Sequence, residues 1–228
     1  MLKPRKRLTR RQIKEDKFVT FTLRATRFVQ RNSTRLIVGL IVLMVGVIVS
    51  ISLVKRKEHR RIQAIDLLAQ ARIAQEEGRV EEAFELYKEV ADDYGGTRAA
   101  GEALIALGNR FFRDGKYDEA MDAFKMYLRK YNYDDISTYA AWSGIAASLE
   151  EQGRYAEAAK QYREFADKYR HSPWAPRCLL DASRCFSLSG DETAATMALQ
   201  QIIDFYPNSP VAYQAKREIK TAEGEILY

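Results

Sequence analysis

The sequence predicts an all-α protein: one transmembrane helix, then an α-solenoid of about four helix pairs and a capping helix. Three observations predict it. Leu36–Val54 reads LIVGLIVLMVGVIVSISLV, a run without a charge. After it, glycine, alanine and aromatic residues recur in a fixed register at intervals of 37, 38 and 37 residues. The net charge of +6 is divided unevenly about the apolar run.

Residues 1–35 form a basic tail, with twelve Lys/Arg against Glu15 and Asp16. The rest of the chain holds 25 basic and 29 acidic side chains. The sequence pI of 9.2 therefore belongs to the tail and is no nucleic-acid signal for the repeats. Two readings of the tail stand. Phe18, Phe21, Phe28 and Val29, flanked by Arg24, Arg27 and Arg31, suit a helix lying on anionic lipid. A basic arm that only fixes topology suits the same charges.

Residues 36–54 are the predicted span. At the rise of an α-helix they reach about 28 Å, near the ~30 Å thickness of a bilayer core. A buried core helix of that length would not need to be apolar all round. A cleaved signal peptide fits poorly, because the preceding region is long and no A-x-A site follows. The flank after the span, KRKEHRR, has five basic residues against twelve before it. The positive-inside rule then puts the tail in the cytoplasm and residues from Lys55 outside. This predicts a single-pass protein of a bacterial inner (plasma) membrane with its C-terminal domain extracytoplasmic or periplasmic.

Residues 55–208 carry the array. The glycines are Gly78, Gly115, Gly153 and Gly190. Five residues after each stands alanine (Ala83, Ala120, Ala158, Ala195), and nine after stands a large apolar residue (Tyr87, Phe124, Tyr162, Leu199). Sixteen after stands tyrosine: Tyr94, Tyr131, Tyr169, Tyr206. Seven before, the residue is small: Ala71, Gly108, Ala146, Ser183. Such a period marks stacked units that cannot bury their apolar faces alone. Glycine ends a helix where a left-handed backbone is needed. The small residues allow close helix approach, and the large ones fill the space between pairs.

Trp142-x2-Ile145-Ala146-x2-Leu149 with Ala158-x3-Tyr162 resembles the tetratricopeptide (TPR) pattern, as does Leu104-x2-Leu107-Gly108-x2-Phe111 with Ala120-x3-Phe124. The resemblance covers about residues 62–206, and its period exceeds the usual 34 by about one helical turn. The tyrosine-x-x-Ser-Pro endings, YRHSP and YPNSP, are similar to those of bacterial envelope TPR families. These include the assembly lipoprotein BamD, the cell division coordinator CpoB and the ancillary subunit of the Sec translocon, YfgM. The YfgM family shares the plan of basic tail, one span and outer repeats.

The breakers predict helices over about 56–77, 80–93, 98–113, 117–131, 136–152, 155–169, 173–189 and 191–205. Ser172-Pro173 and Ser209-Pro210 read as an N-cap followed by proline at the first helical position. Residues 209–228 make the capping helix and tail, with Gln214, Lys216, Arg217, Glu218 and Lys220 on a polar outer face.

No catalytic chemistry is legible. Cys178 and Cys185 are seven residues apart on one helix, about 10 Å, too far for a disulfide. They read as core. His59 and His171 have no metal-ligand spacing. No phosphate-binding or nucleophile-elbow motif occurs. The sequence predicts no enzyme, no cofactor and no metal.

Binding remains. The TPR resemblance implies that exposed residues on the first helix of each pair line a concave groove. Here they include Arg72, Asn109, Phe112, Arg113, Glu150 and Arg184. An exposed Phe112 beside Arg113 suits a peptide with an apolar anchor and an acid. The expected function is a membrane-anchored adaptor for envelope or secretory proteins, serving the Sec translocon or a periplasmic chaperone network. The alternatives are a self-associating scaffold in envelope assembly or division, and a tail that binds anionic lipid, ribosome or nucleic acid.

Overall fold

The computed structural model describes residues 10–225. Residues 1–9 of the basic tail and 226–228 of the C-terminal tail lie outside the described residues. Nine α-helices make up the described chain, with no strands: α1 (Arg10–Glu76), α2 (Val80–Asp93), α3 (Arg98–Arg113), α4 (Tyr117–Lys130), α5 (Asp135–Glu151), α6 (Tyr155–Lys168), α7 (Ala175–Leu188), α8 (Glu192–Phe205) and α9 (Ala212–Glu225). The chain divides into two units, one ending at Glu58 and one beginning at His59.

In the first unit, the part of α1 that starts at Ile37 is the only helix among the described residues long and apolar enough to cross a membrane. The mean hydropathy of its most apolar window is 3.0, and none of that window is buried within the protein. Phe18, Phe21 and Phe28 are likewise exposed.

In the second unit each helix from α2 to α9 packs against the next, α3 also meets α5, and Ala64, Leu68, Ala71 and Ala74 of α1 share a core cluster with α2 and α3. The glycines that close α1, α3, α5 and α7 take the left-handed backbone the register requires, as at Gly115 (φ 72°). Thr97, Asp134 and Asp191 cap the following helices by accepting from the backbone N–H of Ala100, Ser137 and Ala194. The repeat alanines are buried without exception.

One joint shows why the small residues are needed. Phe124 of α4 is 1% exposed, and its ring lies between Gly108 of α3 and Gly144 of α5. A Cβ built on Gly108 would stand 2.5 Å from the ring, and one on Gly144 would collide with it too. The aromatic therefore locks one repeat to the next only because both flanking helices leave it room.

The repeated tyrosines do more than fill space. The Tyr131 hydroxyl accepts from the backbone N–H of Gly96 at 3.0 Å, and Tyr206 donates to the Arg170 carbonyl at 2.9 Å. Tyr169 reaches the Asn132 side chain at 3.4 Å. Each ties its own loop to the loop one repeat earlier.

The Ser-Pro motifs do not start helices where the sequence predicts. Helices α7 and α9 begin at Ala175 and Ala212, with Ser172 and Ser209 in turns that precede them. The Ser172 hydroxyl accepts from Trp174 N–H, and the proline near the start of α7 is Pro176. The serine–proline pair closes a turn before the helix rather than capping it. Cys178 and Cys185 are free and buried, and burial pushes both thiols up to about 12.

Candidate peptide-binding surface

The six candidate residues fall into three groups. Arg72, Asn109 and Arg113 share a cleft of about 280 Å³ between α1 and α3. Leu68, Ile105 and Ala106 give it apolar walls, and Tyr87 of α2 lies at its side. Arg72 pairs with Glu102 across the cleft at 2.5 Å. Arg113 and Asn109 are exposed, and Arg113 makes no ion pair among the described residues. Burial raises the Tyr87 phenol above its ordinary value, Arg72 and Arg113 oppose the rise, and Glu76 adds to it. Both guanidinium groups thus bear on the same hydroxyl. The cleft offers two cations, one partly neutralised, an amide and an apolar floor, which suits a peptide segment carrying an acid beside an apolar side chain.

Glu150 and Arg184 spend their charges on each other. They meet at 2.6 Å between α5 and α7, with the Glu150 side chain 14% exposed. Close by, Arg177 donates to Asp181 at 3.2 Å. Burial raises the Asp181 carboxyl above its ordinary value despite that partner. Arg184 also lines a cleft of about 410 Å³ among α7, α8 and α9. This part of the surface is satisfied internally.

Phe112 is not the exposed anchor that the sequence suggests. It is half-buried against the core, with its ring edge-on to Tyr117 at 5.5 Å between centroids. Tyr117, the first residue of α4, packs against it.

Sequence reasoning missed Glu102, Leu68 and Ile105. They stand thirteen, ten and ten residues before their glycines, on the first helices of the pairs, which the TPR resemblance assigns to the groove. It also missed a larger cleft, about 740 Å³ between the YRHSP and YPNSP loops. Its walls include Pro173, Pro207 and the exposed Phe205 ring, and the Ser209 hydroxyl is buried there without a partner. Size alone favours that cleft. The α1–α3 cleft is the better candidate because Arg72, Asn109 and Arg113, three of the residues that the TPR resemblance assigns to the groove, converge on it.

Comparisons with known proteins agree with the repeat register. The family model described as a tetratricopeptide repeat-like domain matches residues 26–164, and one described as a tetratricopeptide repeat matches residues 144–210. No curated protein matches the chain. Among solved structures, the nearly identical TPR-like repeats titled as a Podosopora anserina kinesin light chain are similar at 17% identity and a TM-score of 0.51. A point variant of the same repeats gives 17% and 0.52, and each match covers 71% of this chain and 90% of the other. At that identity the likeness extends to the fold alone.

Proposed function

This chain belongs to the tetratricopeptide repeat-like family, and on that footing we propose that it is a membrane-anchored adaptor whose α1–α3 cleft captures proteins of the cell envelope or secretory path. The family's fold is a protein-interaction scaffold, and no catalytic family matches. The observation that carries the proposal is the cleft itself, where Asn109 and Arg113 stand exposed over Leu68 and Ile105. Support for the anchor comes from the wholly unburied apolar window in α1. The charge contrast across that window supports a cytoplasmic tail and extracytoplasmic repeats in a bacterial inner membrane. The domain plan is a tail over 1–35, a span over 36–54, repeats over 55–208 and a cap over 209–228. Its likeness to the YfgM plan makes the Sec translocon or a periplasmic chaperone network the first partners to test.

The test is photo-crosslinking from position 109 in intact membranes, with identification of the captured proteins. The proposal expects translocon subunits, chaperones or exported proteins. Cytosolic partners alone would reverse the topology. A second copy of the chain as the sole adduct would favour a self-associating scaffold in envelope assembly or division.

A further inference from the structure

In an array of repeats each unit covers the apolar side of the next, and an end unit needs a polar outer face or a partner. Positions sixteen, thirteen, nine and five before the repeat glycine show this. In α5 they are Ser137, Ala140, Gly144 and Ser148, and Gly144 lies against Phe124 of the repeat before. All four are buried or half-buried. In α1 the same positions are Ile62, Ile65, Ala69 and Ile73. All four are exposed, and each isoleucine is 50% exposed. The spacing of three, four and four places them on one stripe of the helix. Beside the stripe a cleft of about 390 Å³ opens toward Leu68 and Ala99. At the other end of the array, α9 instead presents the exposed Lys216, Arg217 and Lys220.

We infer that the Ile62–Ile65–Ala69–Ile73 stripe is where two copies of this chain pack, α1 against α1 and parallel. Within this sequence the residues outside the described ones are 1–9, with four basic side chains, and the three at 226–228. Neither stretch can supply the missing apolar helix face. The bordering charges select a second copy and its direction. Arg61 lies along one edge of the stripe and Asp66 along the other. In a parallel two-fold pair, Arg61 of one copy faces Asp66 of the other, five residues on, the offset at which flanking charges meet in parallel helix pairs. An antiparallel pair would bring Arg61 toward Arg72, which shares its edge, and set like charges together. The surface is thus self-complementary in one direction only. Four side chains over about three turns make a small contact, so the pair is reversible. The inference does not depend on what the α1–α3 cleft binds.

The test uses the full chain in its membrane, with single cysteines introduced by Ile62→Cys, Ile65→Cys, Ala69→Cys and Ile73→Cys, followed by mild oxidation. Cys178 and Cys185 are buried and serve as an internal background. Gln63→Cys, on the same helix but off the stripe, is the control. The expected result is a disulfide-linked dimer from Ile62→Cys, Ile65→Cys and Ala69→Cys, at least several-fold above Gln63→Cys. Asp66→Arg should cut the yield from Ile65→Cys several-fold, and adding Arg61→Asp should restore it. Dimer from only one mid-stripe position, Ile65→Cys or Ala69→Cys, would mean an antiparallel pair and overturn the inference. So would a yield no higher than that of Gln63→Cys, or adducts only with other proteins.

Discussion

Between α1 and α3 the surface keeps an exposed arginine and amide over an apolar floor, whereas between α5 and α7 it closes on its own Glu150–Arg184 pair. Both stretches stand on the same glycine spacing and the same buried alanines. The repeat therefore decides where an inner surface lies, and the residues it leaves free to vary decide whether that surface is available. Fold alone does not assign a binding site here.

The largest effect should come from the joint that both stretches depend on. Phe124→Ala is expected to cost about 3–5 kcal/mol, read as a shift in the urea midpoint, because it empties the space between Gly108 and Gly144. A loss below about 1 kcal/mol would show that the stretches are independent of that joint. Next is Asp134, the N-cap of α5. Burial pushes its carboxyl up, but hydrogen bonds from Ser137 and Tyr127, with Arg98 nearby, outweigh it and hold the group below its ordinary value. Asp134→Ala should cost about 1–2 kcal/mol at pH 7. A folded carboxyl held low contributes stability above the unfolded value and loses it as the pH falls through the folded one. The gap between wild type and variant should accordingly narrow below about pH 4 in equilibrium unfolding.

The two stretches themselves should then separate. Glu150→Gln is expected to cost at most about 1 kcal/mol, since Arg184 is 51% exposed and can turn to water. Partner capture should be unchanged in a pull-down from solubilised membranes. Arg113→Glu should leave stability within about 0.5 kcal/mol of wild type, as an exposed side chain without an ion pair has little to lose. The same variant should reduce capture at least several-fold. If Glu150→Gln weakens capture and Arg113→Glu does not, the roles of the two stretches are reversed.

Much of the fold was legible because its causes are local and repeated. Glycine at a helix end, alanine at a close approach and an aromatic nine residues on each have one physical meaning, and the period multiplies the signal. Helices α2 to α6 begin and end within one residue of the predicted limits. The Ser-Pro starts were misplaced because serine before proline closes a turn as readily as it caps a helix. The site was less legible. Exposure of Phe112 depends on where Tyr117 of the next helix sits, which no spacing within α3 reveals. The pairing of Glu150 with Arg184 and of Arg72 with Glu102 depends on neighbouring repeats lying side by side at one height. Their separations of 34 and 30 residues are close to one repeat, so the signal existed as opposite charges nearly one period apart.

The most direct measurement is the photo-crosslinking yield from two positions on the same surface, Asn109 in the α1–α3 cleft and Ser187 on α7, in otherwise unchanged protein in its membrane. Both side chains are exposed, so reach to solvent does not bias the comparison. The account predicts discrete partner adducts from position 109 and few from position 187. Equal yields, or the reverse order, would contradict it.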